Sequence, residues 1–184
     1  MIVFSAIQLN ETTSAAAMSL QEQLRERTVG SFPRAENLHI TMHYFGEVSR
    51  ETLDRIIHVT SSVPCEKTQL TLDHLTVFPS NKGDHIVLAG TPSMEIQAYH
   101  EALSKQYEAE GIFFDRKKFL PHVTLVRAKT TGVDLSELRC NEVIQPVKWI
   151  GLYSSEQVKG QRVYTELWGY EPGGNRNDDQ SSNI

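Results

Sequence analysis

Two short segments of the chain repeat a histidine that is followed two residues later by a threonine. Leu38-His39-Ile40-Thr41-Met42 lies in the first half, and Pro121-His122-Val123-Thr124-Leu125 lies in the second. Both alternate polar and apolar residues, as a half-buried β-strand does, and side chains two positions apart on a strand point to the same face. Each strand therefore presents an imidazole beside a hydroxyl on one face and buries an apolar row on the other.

The repetition changes how each histidine is interpreted. A single histidine on a strand is more often a hydrogen-bonded structural residue than a catalytic one. A structural role would have to explain both histidines and both threonines separately, whereas one duplicated site explains all four. We therefore interpret His39 and His122 as a catalytic pair that lines opposite walls of one cleft.

Two histidines and two hydroxyl groups suit the opening of a cyclic phosphodiester. One imidazole takes a proton from the attacking water and the other protonates the departing ribose oxygen, and a pKa of about 6.5 allows either role near neutral pH. The hydroxyl groups of Thr41 and Thr124 can donate hydrogen bonds to the non-bridging phosphate oxygens. The near symmetry of the motifs leaves open which histidine is the acid and which is the base.

A cation near the second motif would help to bind phosphate. The segment 115–129 holds five basic residues and one acidic residue. We interpret Lys117 and Lys118 as solvated surface charges. Arg127 is the sharper candidate because it follows the motif strand directly and a guanidinium group pairs with phosphate bidentately. In a regular strand it would face away from His122 and Thr124, so its place in the site requires a bulge or a strand exit after Leu125.

A metal centre is the alternative use of these histidines. On regular strands His43 would share a face with His39, so that a site with His39, His43 and His122 is conceivable. No carboxylate cluster accompanies them and the threonines would be unexplained, so we predict no metal and no cofactor. The remaining histidines have no repeated motif and are interpreted as structural: His58, His74, His85 and His100.

The elements that position these residues mix strands and helices without strict alternation, which predicts an α+β fold. Capping residues indicate helices that begin near Asn10, Ser49 and Ser93. Alternating or continuous apolar runs indicate the strands. These are predicted at 2–9, 38–45, 69–78, 85–88, 120–126, 143–152 and 162–168.

The 184 residues, of which 39% are hydrophobic, suffice for one domain, predicted at 1–171. The composition then turns polar, and we expect a disordered tail at 172–184. A net charge of −5 argues against a general nucleic-acid coat protein. Two cysteines without a C-x-x-C pair, no recognisable signal peptide and no long apolar run predict a cytoplasmic protein without membrane contact. We expect it to be a monomer.

The paired motifs resemble the signature of the 2H phosphoesterase superfamily. Within it, they are most similar to the bacterial and archaeal RNA 2′,3′-cyclic phosphodiesterases, also called 2′–5′ RNA ligases. The resemblance covers about residues 2–170, and its strongest blocks are Leu38–Glu47 and Pro121–Arg127. His43 stands where that family commonly has a basic residue such as arginine, and Leu88-Ala89 replaces a frequent Leu-Trp.

This resemblance implies two pseudo-symmetric lobes of antiparallel sheet, with flanking helices, around a central cleft. It also implies that His39 and His122 are catalytic, that Thr41 and Thr124 contact phosphate, and that a 2′,3′-cyclic phosphate is hydrolysed to a 2′-phosphomonoester without a metal. The implied partners are RNA ends or nucleotides that carry this cyclic phosphate. Two alternatives remain open: 2′–5′ ligation in the same site, and a non-catalytic module that binds RNA ends.

Overall fold

The structure, a computed structural model, describes residues 1–174, and the predicted polar tail lies outside the described residues from 175 onward. This part of the chain forms nine strands, three helices and one 3₁₀ turn. The strands are β1 (Ile2–Gln8), β2 (Gly30–Ser31), β3 (His39–Glu47), β4 (Gln69–Phe78), β5 (His85–Pro92), β6 (His122–Ala128), β7 (Val143–Pro146), β8 (Ile150–Val158) and β9 (Gln161–Tyr170). The helices are α1 (Glu11–Arg25), α2 (Arg50–Ser62) and α3 (Met94–Ala109), and the 3₁₀ turn is Ala35–Asn37.

These strands form one curled antiparallel sheet in the order β7-β4-β5-β6-β3-β1-β8-β9, and the short strand β2 pairs with β6. The sheet has two halves, one built around β1, β3, β8 and β9 and the other around β4 to β7. They join where Ile40 of β3 pairs with Val123 of β6. The predicted α+β fold, with two lobes of antiparallel sheet and flanking helices, is confirmed.

The segment 143–152 is two strands rather than the single strand predicted. β7 ends at Pro146 and pairs with β4, whereas β8 begins at Ile150 and pairs with β1. Because so short a connection joins strands near opposite ends of the sheet, the sheet must curl. The side chain of Gln145 ties the two ends together, since its Nε2 donates to the carbonyl of Gln8 (3.2 Å) and its Oε1 accepts from the backbone N–H of Asn10 (3.0 Å).

The three helices begin where capping residues predict. The side chains of Asn10, Ser49 and Ser93 each accept a hydrogen bond from the backbone N–H three residues further on. Helix α1 packs against β6 and β7, and α3 packs against β5 and α2. Ile40 and Val123 lie in the resulting core. None of the helices in residues 1–174 is long and apolar enough to cross a membrane.

Candidate active site

The two histidine–threonine motifs lie side by side where the lobes join. Ile40 is opposite Val123 in an antiparallel register, and extending that register by one residue sets each histidine against the threonine of the other strand. The two motifs are thus related by a local two-fold axis. We call the side of the sheet that carries His39 and His122 the pocket face. The pocket there is lined by Pro33, Asn37, His39, Thr41, His122, Thr124, Arg127 and Tyr164.

Both imidazoles are held in the same way by a backbone carbonyl two residues earlier. Nδ1 of His39 lies 2.7 Å from the carbonyl oxygen of Asn37, and Nδ1 of His122 lies 2.6 Å from that of Leu120. A carbonyl only accepts, so Nδ1 carries the proton in both rings. The Nε2 atom of each neutral ring is then an available proton acceptor, and that of His39 lies 3.0 Å from the hydroxyl of Thr41.

The surroundings of both histidines favour the neutral imidazole. Burial lowers the pKa of His39; the bond to Asn37 acts in the opposite direction, and the charges of Arg127 and His122 lower the pKa further. Burial also lowers the pKa of His122, against the effect of its bond to Leu120. Near pH 7 the free site therefore holds two neutral imidazoles and one cation, which favours an anionic ligand.

A β-bulge places Arg127 in the pocket. Thr124 pairs with Val87 of β5, but the next pair along joins Val126 to Ile86, so that Leu125 is an extra residue. The bulge reverses the alternation of side chains along β6, and Arg127 consequently lies on the pocket face with the second motif. The irregularity that a role for Arg127 requires is present.

An equivalent bulge follows the first motif and turns His43 away from the pocket. The register between β1 and β3 skips Met42, and His43 points into the core with only 2% of its surface exposed. Its Nε2 lies 2.9 Å from the hydroxyl of Ser104. The three-histidine metal site considered above needs His43 beside His39 and His122, and the bulge places it on the opposite face.

A buried helix side chain donates to the carbonyl of each bulge residue. Gln21 of α1 donates from Nε2 to the carbonyl of Leu125 (3.0 Å), and His100 of α3 donates from Nε2 to the carbonyl of Met42 (3.1 Å). A bulge leaves its extra residue outside the regular ladder, so these donors satisfy a carbonyl that the sheet does not. The motif strands β3 and β6 are therefore each held by one side-chain hydrogen bond to the bulge carbonyl. The donor is a histidine for β3 and a glutamine for β6.

Three aromatic rings of the site were not predicted to lie there. The rings of Phe4 and Tyr164 approach His39, at centroid distances of 5.0 and 5.2 Å, and Phe78 approaches His122 at 4.8 Å. Their only sequence signal is that they lie in predicted strands. Pairing between distant strands brings them to the motifs, which no local pattern indicates.

One histidine interpreted as structural lies at the edge of the site. His85 of β5 pairs directly with Arg127 of β6, so both lie on the pocket face. Burial lowers the pKa of His85, and the charges of Arg127 and His122 lower it further. A third imidazole thus stands next to the guanidinium group, on the side of the second motif.

The chain is similar to phosphoesterases of known sequence and structure. The family model of the LigT-like phosphoesterases matches residues 7–89, a stretch that includes the first motif. The RNA 2′,3′-cyclic phosphodiesterase of Methanocaldococcus jannaschii is 25% identical over 129 residues, which cover 70% of this chain and 72% of that protein. The chain is thus similar to the LigT-like phosphoesterases in sequence.

Two further proteins extend the similarity over nearly the whole chain. The RNA 2′,3′-cyclic phosphodiesterase of Methanothermobacter thermautotrophicus is 26% identical over 182 residues, which cover 89% of this chain and 95% of that protein. The crystal structure of Escherichia coli LigT in its apo form superposes with a TM-score of 0.77 at 22% identity, over 94% of this chain and 98% of that one. At that identity the superposition establishes a shared fold.

Proposed function

We propose that this phosphoesterase hydrolyses the 2′,3′-cyclic phosphate of an RNA end or a nucleotide to a 2′-phosphomonoester. Two histidines that keep Nε2 free of its proton in one pocket, together with a guanidinium group, carry the proposal. The names of the curated relatives support the substrate class, and E. coli LigT has been crystallised with 3′-AMP.

The pocket provides each group that the reaction needs. The phosphate oxygens would accept hydrogen bonds from Arg127, Thr41 and Thr124. The bound anion raises the pKa of the imidazoles beside it, so that one of them becomes protonated in the complex. The neutral histidine takes a proton from the attacking water, a new P–O bond forms, and the bond from phosphorus to the 3′-oxygen breaks. The protonated histidine delivers its proton to that oxygen.

We propose further that the enzyme acts as a cytoplasmic monomer. The sequence holds only two cysteines, Cys65 and Cys140, without a C-x-x-C pair, which fits a reducing compartment.

The direct test is hydrolysis of 2′,3′-cyclic nucleotides and of a short RNA that ends in a 2′,3′-cyclic phosphate, in excess EDTA. We expect turnover with a 2′-phosphate as the product, identified by chromatography against both phosphomonoester standards. A 3′-phosphate product would contradict the proposed bond cleavage. Absence of turnover both with and without EDTA would favour the RNA-end-binding module, and turnover that EDTA abolishes would favour a metal hydrolase.

Replacement of the threonines tests their role as phosphate donors. Thr41→Val and Thr124→Val keep the shape of the side chain and remove the hydroxyl, so each should raise the activation free energy by about 1–3 kcal/mol. Values of kcat/KM for a cyclic nucleotide measure the loss. Thr165→Val, at an exposed position of β9, is the control and should retain full activity. If all three variants had the same kcat/KM, the hydroxyl groups of Thr41 and Thr124 would have no role in the reaction.

A further inference from the structure

A second aromatic surface lies on the pocket face, two strands away from His39. Trp149 and Tyr153 both donate to one carboxylate oxygen of Glu166: the indole Nε1 lies 2.9 Å from Oε2, and the Tyr153 hydroxyl lies 3.0 Å from the same atom. We call these three residues the platform. Because one carboxylate holds both rings, their orientation is fixed before any ligand arrives.

Two glycines make room for the rings of the platform. Gly151 of β8 and Gly169 of β9 are direct cross-strand partners. A Cβ atom at Gly151 would come within 2.7 Å of the Tyr153 ring, and one at Gly169 would come within 2.6 Å of the Trp149 indole. The rings therefore lie across the sheet where side chains would otherwise stand. This arrangement places two partly exposed aromatic rings on the pocket face.

The platform is connected to the catalytic pocket by stacked rings. Phe4 of β1 pairs with Tyr153 of β8, which places both on the same face of the sheet. The ring of Phe4 lies 5.0 Å from that of His39 and 5.6 Å from that of Tyr153, measured between centroids. The ring of Phe4 thus lies between His39 and the platform, whereas Tyr164 contacts His39 directly.

We propose that the platform stacks the base of the nucleotide that precedes the cyclic end. The preferred substrate would then be an RNA end of two or more nucleotides rather than a free mononucleotide. Unpaired bases in RNA are commonly bound by stacking on tyrosine and tryptophan. The terminal base is attached to the sugar carbon next to the cyclic phosphate, which keeps it near Tyr164, so the next base is the one that can extend to Trp149 and Tyr153. This inference rests on the proposed function.

The test compares a 2′,3′-cyclic mononucleotide with a dinucleotide that ends in the same cyclic nucleotide. In Trp149→Ala, the ratio of kcat/KM for the dinucleotide to that for the mononucleotide should fall by roughly 5- to 150-fold, the effect of one stacked base. Trp149→Phe keeps a ring and should restore most of the ratio. Glu166→Gln weakens the acceptor that holds both rings and should lower the ratio by a smaller factor.

Glu156→Gln is the matched control for Glu166→Gln. Glu156 is an exposed glutamate of β8 that points to the opposite face from Tyr153, so the ratio should stay unchanged. An equal loss on both substrates in Trp149→Ala, or no loss on either, would overturn the platform and leave the proposed function intact. Failure of the wild-type enzyme to hydrolyse either substrate would overturn the proposed function, and the platform's role with it.

Discussion

Replacing either His39 or His122 with alanine is expected to lower kcat for a 2′,3′-cyclic nucleotide by roughly 10²–10⁴-fold, the usual contribution of a positioned acid or base. Both variants should lose activity because the two proton transfers occur in the same reaction. Steady-state rates in EDTA measure the effect. His58→Ala is the matched control, since His58 is an exposed histidine of α2 away from the pocket.

The double variant shows whether the two histidines act as one catalytic unit or contribute independently. If the histidines act together, His39→Ala combined with His122→Ala should be little slower than the slower single variant. Losses that multiply would instead indicate independent roles. Full turnover in either single variant would exclude the two-histidine mechanism, whatever the result for the other.

The parts of the site that the sequence predicts are those encoded over a few consecutive residues. Each histidine–threonine motif spans three positions of one strand, and the strand period of two places both polar side chains on the same face. Helix starts are equally local, and the caps at Asn10, Ser49 and Ser93 hold the backbone as expected. The roles of the four motif residues in catalysis remain predictions, although the structure brings all four to one pocket.

The bulges explain why simple alternation fails just beyond each motif. An extra residue in a strand depends on how its partner strand is paired, and that partner is distant in the sequence. Alternation alone places His43 in the pocket and Arg127 outside it, and the bulges at Met42 and Leu125 reverse both placements. The sequence indicates the need for such an irregularity only for Arg127, as a bulge or a strand exit after Leu125.

The other contacts of the site could not be predicted from the sequence, because they depend on pairing between distant residues or on backbone atoms. The carbonyls of Asn37 and Leu120 fix both imidazoles, and every residue type carries a carbonyl. Gln21 and His100 reach the bulges from helices far away in the sequence. The division of 143–152 into two strands follows from the curl of the sheet, which becomes visible only when its two ends approach each other.

The core behind the pocket holds a second pair of histidines, and the direction of the hydrogen bond at Nε2 of each ring can be assigned. The rings of His43 and His100 stack with centroids 4.1 Å apart and planes inclined by 7°. His100 donates from Nε2 to the carbonyl of Met42. The hydroxyl of Ser104 donates to the carbonyl of His100 (2.8 Å), so it accepts from Nε2 of His43 (2.9 Å). These bonds require a proton on Nε2 of each ring but none on Nδ1, so they form with both rings neutral.

This stack should make the protein sensitive to acid. Burial lowers the pKa of His43 well below its ordinary value of 6.5, and the neighbouring His100 lowers it further; burial also lowers the pKa of His100, against the effects of Met42 and Glu101. Below pH 6.5 the unfolded chain binds more protons than the folded one, so stability falls as the pH decreases. Well above pH 6.5 these groups have no effect, because both states are then deprotonated. For His43 the loss is at most about 1.4 kcal/mol per pH unit.

His100→Gln isolates the contribution of the stack. Glutamine can keep the hydrogen bond to Met42, as Gln21 does for Leu125 in the other lobe, but it does not titrate. The free energy of unfolding, measured in urea between pH 8 and pH 5, should fall less steeply below pH 6.5 than in the wild type. The control is His58→Gln, which makes the same exchange at an exposed position of α2.

Comparing the pH dependence of the unfolding free energy in the wild type and in His100→Gln cancels the contribution of the other buried histidines. Burial also lowers the pKa of His39, His85 and His122, so all three add to the acid sensitivity of the wild type and of His100→Gln alike. The difference in slope therefore belongs to His100 and to its effect on His43. Equal slopes would mean that the stacked pair stays neutral or relaxes without cost. A steeper wild-type slope would show that the histidine that bonds to the carbonyl of Met42, unlike Gln21 at the carbonyl of Leu125, makes the fold less stable in acid.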